Sequence, residues 1–225
     1  MLKTIIIVPA CNEADRLAET VEHLPNASHL LVVDDGSRDE TASIAWGLGA
    51  EVLFSGKPGS PAGKGRALLM GLSRARRQDP EAILLADADL GSSAGKLGGL
   101  LEALEDGNYF SVAAFPPTGG GGFGLVKGYA RREIQRRTGY APGEPLSGQR
   151  ALLAPALESL PGIAPGFGAE VGMTLDLLQA GFEPVEIPLP LAHRPTGRSI
   201  AGFAHRARQG RDILKALRGE RLPWP

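Results

Sequence analysis

The chain has 225 residues and a formal net charge of −1, from 24 basic and 25 acidic side chains. That near-neutrality gives no global electrostatic case for nucleic acid as a partner, so any anion site must be local. A single cysteine, Cys11, excludes an intrachain disulfide and a cysteine-based zinc cluster, and fits a reducing, cytoplasmic setting. The length allows one large α/β domain with an elaborated C-terminal half. The apolar N-terminal stretch is too short for a signal peptide, and nowhere do about 18 apolar residues run together, so the expectation is a chain that is soluble or at most peripheral to a membrane.

Lys3 to Val8 is a short β-branched run halted by Pro9, the pattern of a strand buried on both faces. Leu17, Val21 and Leu24 follow at helical spacing, with Asn12 as a candidate N-cap and Pro25 as the stop. Leu30 to Val33 predicts a second buried strand that runs into DDGSRDET, where Gly36 and Ser37 turn the chain and Asp39 or Ser37 can cap a helix through Trp46. Glu51 to Phe54 reads as a third strand, Ser55 to Gly65 as a loop, and Arg66 to Arg77 as a helix on the spacing of Leu68, Leu69 and Leu72. Ile83 to Ala86 is the fourth strand; Leu97, Leu100, Leu101 and Leu104 form a helical stripe; Tyr109 to Phe115 is a strand. Alternation of this kind predicts right-handed crossovers and a mostly parallel sheet flanked by helices, with residues 1–115 as a nucleotide-binding half and 116–225 as an acceptor-binding half of one domain. In the second half a glycine loop precedes a basic helix over Leu125 to Arg137. A loop then leads to a short strand or turn near Ala151, a helix over Phe167 to Ala180, a strand over Glu183 to Ile187, the loop HRPTGRS, and a final basic helix over Ile200 to Arg218.

Three acidic turns sit at predicted strand ends: Asn12 with Glu13, Asp34 with Asp35, and Asp87 with Asp89. In a parallel sheet such turns line one crevice, where carboxylates accept from a base, hold ribose hydroxyls and bind metal. In an extended segment, residues two apart share a side, so Asp87 and Asp89 would converge on one cation. No G-x-G-x-x-G turn follows the first strand, and GSPAGKGRA lacks P-loop spacing, which argues against a dinucleotide site and a P-loop.

The segments IIIVPACNEADRL, LLVVDDGSRDET, GKGRALLMG and ILLADADL, in that order, resemble the nucleotide-binding half of the family 2 type glycosyltransferases of GT-A fold. The later segments TGGGGFGLV, PLSGQRA, GFGAEVGMTLDLL and LAHRPTGRS are similar to those of the glucosyl-3-phosphoglycerate synthases and their mannosyl relatives. The resemblance implies a metal-dependent transfer of a hexose from a nucleotide sugar, UDP-glucose first and GDP-mannose second, with Mn²⁺ or Mg²⁺ held by Asp87, Asp89 and His193. It implies that Asp35 reads the uracil and that Lys64 approaches the diphosphate. The donor-binding set it implies is Pro9, Ala10, Asn12, Glu13, Asp35, Gly36, Lys64, Asp87, Ala88, Leu146, Ser147, Gly148, Arg194 and Arg198. Asp89, Lys64 and Glu170 are the candidate catalytic groups, Glu170 lying near the acceptor or the donor sugar hydroxyls and serving as general base if the enzyme inverts.

The acceptor is less sharply specified. Phe123, Leu125 and Pro195 stand where those synthases lead one to expect other residues, arginine and threonine at the first two, to hold a phosphoglycerate. Polyprenyl phosphate sugar synthases share the first-half motifs and take a lipid phosphate; Arg131, Arg132, Arg136 and Arg137 on one helix, and Arg206, Arg208, Arg211, Lys215 and Arg218 on another, could meet a membrane surface. Two solvated basic faces are the plain alternative. A sugar-phosphate nucleotidyltransferase would need its glycine-rich signature after the first strand, where PACNEA stands, and a non-catalytic nucleotide-sugar-binding domain would be expected to lose a metal carboxylate. The resemblance is also compatible with a homodimer.

Overall fold

The computed structural model describes residues 2–115, 124–191 and 210–225. Its sheet comprises β1 (Thr4–Ala10), β2 (His29–Asp34), β3 (Glu51–Phe54), β4 (Ala82–Leu85), β5 (Phe110–Ala114), β6 (Arg150–Leu153) and β7 (Val185–Pro188). They lie in the order β3-β2-β1-β4-β6-β5-β7, parallel except for β6, which runs antiparallel to both β4 and β5. The helices are α1 (Leu17–His23), α2 (Thr41–Gly47), α3 (Lys64–Arg76), α4 (Gly98–Glu105), α5 (Gly124–Thr138), α6 (Ala154–Glu158), α7 (Ala169–Gln179) and α8 over residues 210–217, with 3-10 turns at Gly91–Leu97 and Gly166–Gly168.

Strand alternation divides the core. Ile5, Ile7, Leu31, Val33, Ile83 and Leu85 pack on the face covered by α3, α6 and α7, whereas Ile6, Val8, Val32 and Leu84 pack on the face covered by α1 and α4. Both faces are dry, which is why these strands read as unbroken apolar runs. Burial of each such side chain contributes about 1.5–3 kcal/mol. α3 lies close to the sheet because Gly71 has no side chain: a Cβ there would stand 2.6 Å from Ile7 Cγ2. A third cluster joins α5, α7 and α8 through Ala130, Ile134, Val171, Leu175, Ile213 and Leu217.

Several boundaries differ from the sequence reading. β1 continues through Pro9 and Ala10, which pair with Val33 and Asp34 of β2. Its pairing with β4 has ended at Ile7, so beyond that point β1 has one neighbour and a residue without an N–H is tolerated. Asn12 is no helix cap; it sits at φ 57°, α1 begins only at Leu17, and Asn12 Oδ1 accepts the N–H of Arg38 at 2.8 Å. Ser37 caps nothing either, since its hydroxyl donates to Asp34 at 2.6 Å, while Asp39 accepts the N–H of Thr41 at 3.1 Å. α3 starts at Lys64, two residues before the expected position, which moves that lysine from the loop into the first helical turn. The helix expected from Phe167 starts at Ala169 behind a 3-10 turn, and of the final helix the part over 210–217 is described.

Among the described residues no helix is long and apolar enough to cross a membrane. On the basic helix α5, Arg136 and Arg137 pair with Glu133 at 2.9 and 3.6 Å, and Arg137 also donates to the carbonyl of Leu217. Arg206 and Arg208 lie outside the described residues.

Candidate active site

The ends of β1, β2 and β4 lie side by side, and their turns are tied to one another. Asp34 accepts the N–H and hydroxyl of Ser37 at 2.9 and 2.6 Å; Ser37 Oγ in turn accepts the N–H of Asn12, and Thr41 Oγ1 accepts that of Glu13, both at 2.9 Å. Burial, followed by Asp35, Asp34, Asp39 and Glu13, pushes the Cys11 thiol above its ordinary value, so this edge carries a negative field. Asp35 is 6% exposed. Its Oδ1 accepts from Ser55 Oγ and the Ala62 N–H, and its Oδ2 from the Gly63 N–H, all at 2.8 Å. A carboxylate has about four acceptor positions, and among the described residues one on Oδ2 is not taken. Asp35 is therefore also the anchor of the loop that leads directly into Lys64. That loop lies against Gly36, at φ 79°, where a Cβ would collide with the carbonyl oxygen of Lys57.

β4 ends at Leu85, and Ala88 and Asp89 form a turn. The expectation that Asp87 and Asp89 share one side of an extended strand is thus overturned: the chain curls before the second acid. The turn is pinned from α1, where the fully buried Thr20 hydroxyl donates to the Ala88 carbonyl and accepts the Gly91 N–H at 2.8 and 2.9 Å. Asp87 faces the second half of the chain. Its Oδ1 is 2.7 Å from Lys64 Nζ, and its Oδ2 accepts from Gln149 Nε2 at 2.6 Å. Lys64 Nζ also meets Glu170 Oε1 at 2.8 Å. Burial alone would lower the lysine's pKa, but Asp87 and Glu170 more than offset it and hold the ammonium well above its ordinary value. Gly148 borders the cluster: a Cβ there would stand 2.7 Å from Lys64 Nζ and 2.8 Å from Asp87 Oδ2, so a side chain would displace that pair.

The loop bearing Leu146, Ser147 and Gly148 is fixed by Arg150, which lies in β6 and is 1% exposed. Arg150 Nε donates to the Ser147 carbonyl at 2.7 Å, Nη1 to Thr174 Oγ1 of α7 at 2.8 Å, and Nη2 to the Pro145 carbonyl at 3.4 Å. Burial pulls its pKa down to about 10, partly countered by Glu170 and Glu186, so it remains cationic at neutral pH.

The structure thus brings Asp87, Lys64, Glu170 and Gly148 into contact, and sets Asp35 behind Lys64. Asp89 is half-buried in the neighbouring turn. His193, Arg194, Arg198, Pro195 and Phe123 fall outside the described residues. Among the described residues no three His, Cys, Asp or Glu form a metal-holding group. A Mg²⁺ or Mn²⁺ that takes one or two carboxylates and completes its shell from substrate phosphates needs no such group, so an oxygen donor at Asp89 fits that pattern. Thr20, Gln149 and Arg150 were missed by the sequence reading. An arginine opening an otherwise apolar strand segment, RALL, was the one available signal.

Comparison with known proteins gives the family and the fold. The profile of the family described as "Glycosyl transferase family 2" matches residues 5–152. Polyprenol monophosphomannose synthase of Mycolicibacterium smegmatis is 27% identical over 216 residues, covering 88% of this chain and 80% of its own. Glucosyl-3-phosphoglycerate synthase of Petrotoga mobilis is 28% identical over 203 residues, covering 79% of this chain and 61% of its own. The crystal structure of glucosyl-3-phosphoglycerate synthase from Mycobacterium tuberculosis in complex with Mn²⁺, UDP-glucose and glycerol 3-phosphate superposes with a TM-score of 0.77 at 24% identity, over 97% of this chain and 79% of that one. At that identity the likeness establishes the fold.

Proposed function

The chain belongs to glycosyl transferase family 2, matched over residues 5–152, and from that premise we propose that it moves glucose from UDP-glucose to a small phosphorylated acceptor. The observation that carries the reading is the position of Lys64, a buried ammonium between Asp87 and Glu170 at the end of β4. The UDP-glucose and glycerol 3-phosphate complex of the structural neighbour supports the choice of donor and acceptor class.

Cleavage between the anomeric carbon and the diphosphate leaves negative charge on the departing group. Lys64 answers that charge. An ammonium has three N–H donors; Asp87 and Glu170 take two among the described residues, and the third is directed to a diphosphate oxygen. Asp35 receives the base imide on its remaining Oδ2 position, and Asp87, held by Lys64 and Gln149, accepts from the ribose. Glu170 orients a hydroxyl of the acceptor or of the donor sugar. Asp89, with His193, would hold Mn²⁺ or Mg²⁺. Such an ion supplies Lewis-acid stabilisation of the leaving diphosphate worth several kcal/mol.

A second reading, transfer to a polyprenyl phosphate, is favoured by the Mycolicibacterium smegmatis relative. Both readings are tested by incubating the protein with UDP-glucose and Mn²⁺ and either 3-phosphoglycerate or a short-chain polyprenyl phosphate, and following the glucosylated product. Product from the soluble acceptor supports the first reading, and product from the lipid alone replaces it with the second. UDP binding with no product and no donor consumption would mean a non-catalytic nucleotide-binding domain.

A further inference from the structure

We propose that Asp212 of α8 is a positioning residue that sets Glu170 against Lys64; the proposal rests on the reading of those two as active-site groups. Three elements meet here at backbone distance. Asp212 is 6% exposed, and its Oδ2 accepts the Phe167 N–H in the turn Gly166–Gly168 at 3.3 Å. Gly166 sits at φ 57°, and the space a Cβ would fill is occupied by Asp212 Oδ2; at Gly168 the same space is occupied by the Asp212 carbonyl oxygen. On its other side the turn presses on the start of α3. A Cβ at Gly65 would stand 2.8 Å from the Gly166 nitrogen and would collide with the Ala164 carbonyl, and one at Gly63 would reach Gly166 Cα at 3.8 Å.

The turn is therefore clamped between Asp212 and the residues on either side of Lys64, with glycine at the contacts. Glu170 follows two residues after Gly168, in the first turn of α7. A displacement of the turn would shift the starts of α3 and α7, which carry Lys64 and Glu170. A carboxylate suits the position: the first N–H groups of a helix and of the turn before it lack intrahelical acceptors and favour negative charge. Among the described residues the ion pair at Asp212 is with Arg211, whose Nε is 3.8 Å from Oδ1 on a mostly exposed side chain, while Oδ2 takes the N–H of the turn.

The test compares Asp212→Ala, which removes the acceptor, with Asp212→Asn, which keeps an oxygen in place. In D212A, kcat for glucose transfer should fall by about tenfold or more, as misplacement of reacting groups does, while the KM for UDP-glucose changes much less than kcat, because the ends of β1 and β2 proposed to hold the nucleoside do not touch Asp212. D212N should recover most of kcat. Hydrogen exchange supplies a readout independent of activity: amides of residues 163–171 should lose protection in D212A and keep it in D212N, with β1 and β4 unchanged in both. Unaltered kcat in folded D212A, a parallel change in donor KM, or exchange that does not distinguish the two variants would overturn the proposal. Should D212A fail to fold, D212S, whose hydroxyl is too short to reach the turn, takes its place with the same expectations. A wild-type protein that transfers no sugar would refute the functional reading, while the exchange comparison would still decide whether Asp212 holds the turn.

Discussion

Lys64 Nζ lies 2.8 Å from Glu170 Oε1, so the first residue of α3 and the second of α7 share one ion pair across the two halves of the chain. The same ammonium reaches Asp87 at 2.7 Å. Both carboxylates meet at this cation, and its removal takes from each the ammonium it pairs with.

Lys64→Met should therefore lose transfer activity and stability together. Breaking a buried pair costs about 3–5 kcal/mol; the partial exposure of Asp87 reduces this to about 2–3 kcal/mol, a Tm lower by roughly 5–10 °C in a chain of this size. Adding Glu170→Gln should recover most of the stability and none of the activity. Thermal unfolding of the single and double variants checks this, and a single variant as stable as the wild type would contradict it.

Asp35 joins the expected base pocket to the loop ahead of Lys64. Asp35→Ala leaves the Ala62 and Gly63 N–H groups and the Ser55 hydroxyl without their acceptor, a cost of about 2–4 kcal/mol. The KM for the donor should rise by about tenfold or more, and amides 55–63 should exchange faster with solvent. Kinetics paired with exchange mass spectrometry tests both; a raised KM with an unchanged loop would leave only the base contact.

At position 150 the charge and the fork act in opposite directions. Burial of the guanidinium is costly, as its pKa of about 10 records, but its three bonds hold the Pro145–Ser147 loop to α7. Arg150→Lys keeps the buried charge and loses the fork, and should destabilise by about 3–5 kcal/mol; Arg150→Met removes the charge as well and should cost about 1–2 kcal/mol. Denaturant midpoints decide the order, and a lysine variant more stable than the methionine one would contradict it.

Glu51, at the start of β3 and remote from the crevice, governs part of the acid stability. Burial raises its pKa, but Arg74 and His29, at 2.6 and 2.7 Å, outweigh it and hold the carboxyl below its ordinary 4.5. A depressed carboxylate stabilises the fold above the unfolded value and loses that contribution as pH falls through the folded one. Glu51→Gln should be less stable than wild type at pH 7, with the difference narrowing as pH falls below 4.5 and through the folded value. Unfolding curves at pH 7, 5 and 3.5 test it; a constant difference would refute it.

Much of this architecture was legible in the sequence. Unbroken apolar runs announce strands buried on both faces, and the acids at their ends announce the crevice, because both signals are local. What escaped depends on partners far along the chain. β6 enters the sheet between β4 and β5 through pairing that no local pattern encodes. Asp87 is turned toward Lys64 and Gln149 because β4 ends at Leu85, two residues before the acid, and Thr20 pins the following turn from another helix. Asp212 reads as one acid in a basic helix until the glycine turn it touches is seen.

The most direct measurement is nucleotide release from a panel of UDP-, GDP- and ADP-sugars, with Mn²⁺ or Mg²⁺ and with EDTA, by the wild type and by Asp89→Ala. The account predicts metal-dependent release of UDP from UDP-glucose that EDTA stops and that Asp89→Ala lacks while folding normally. Release that persists in EDTA or in that variant, or no release from any donor, would contradict it.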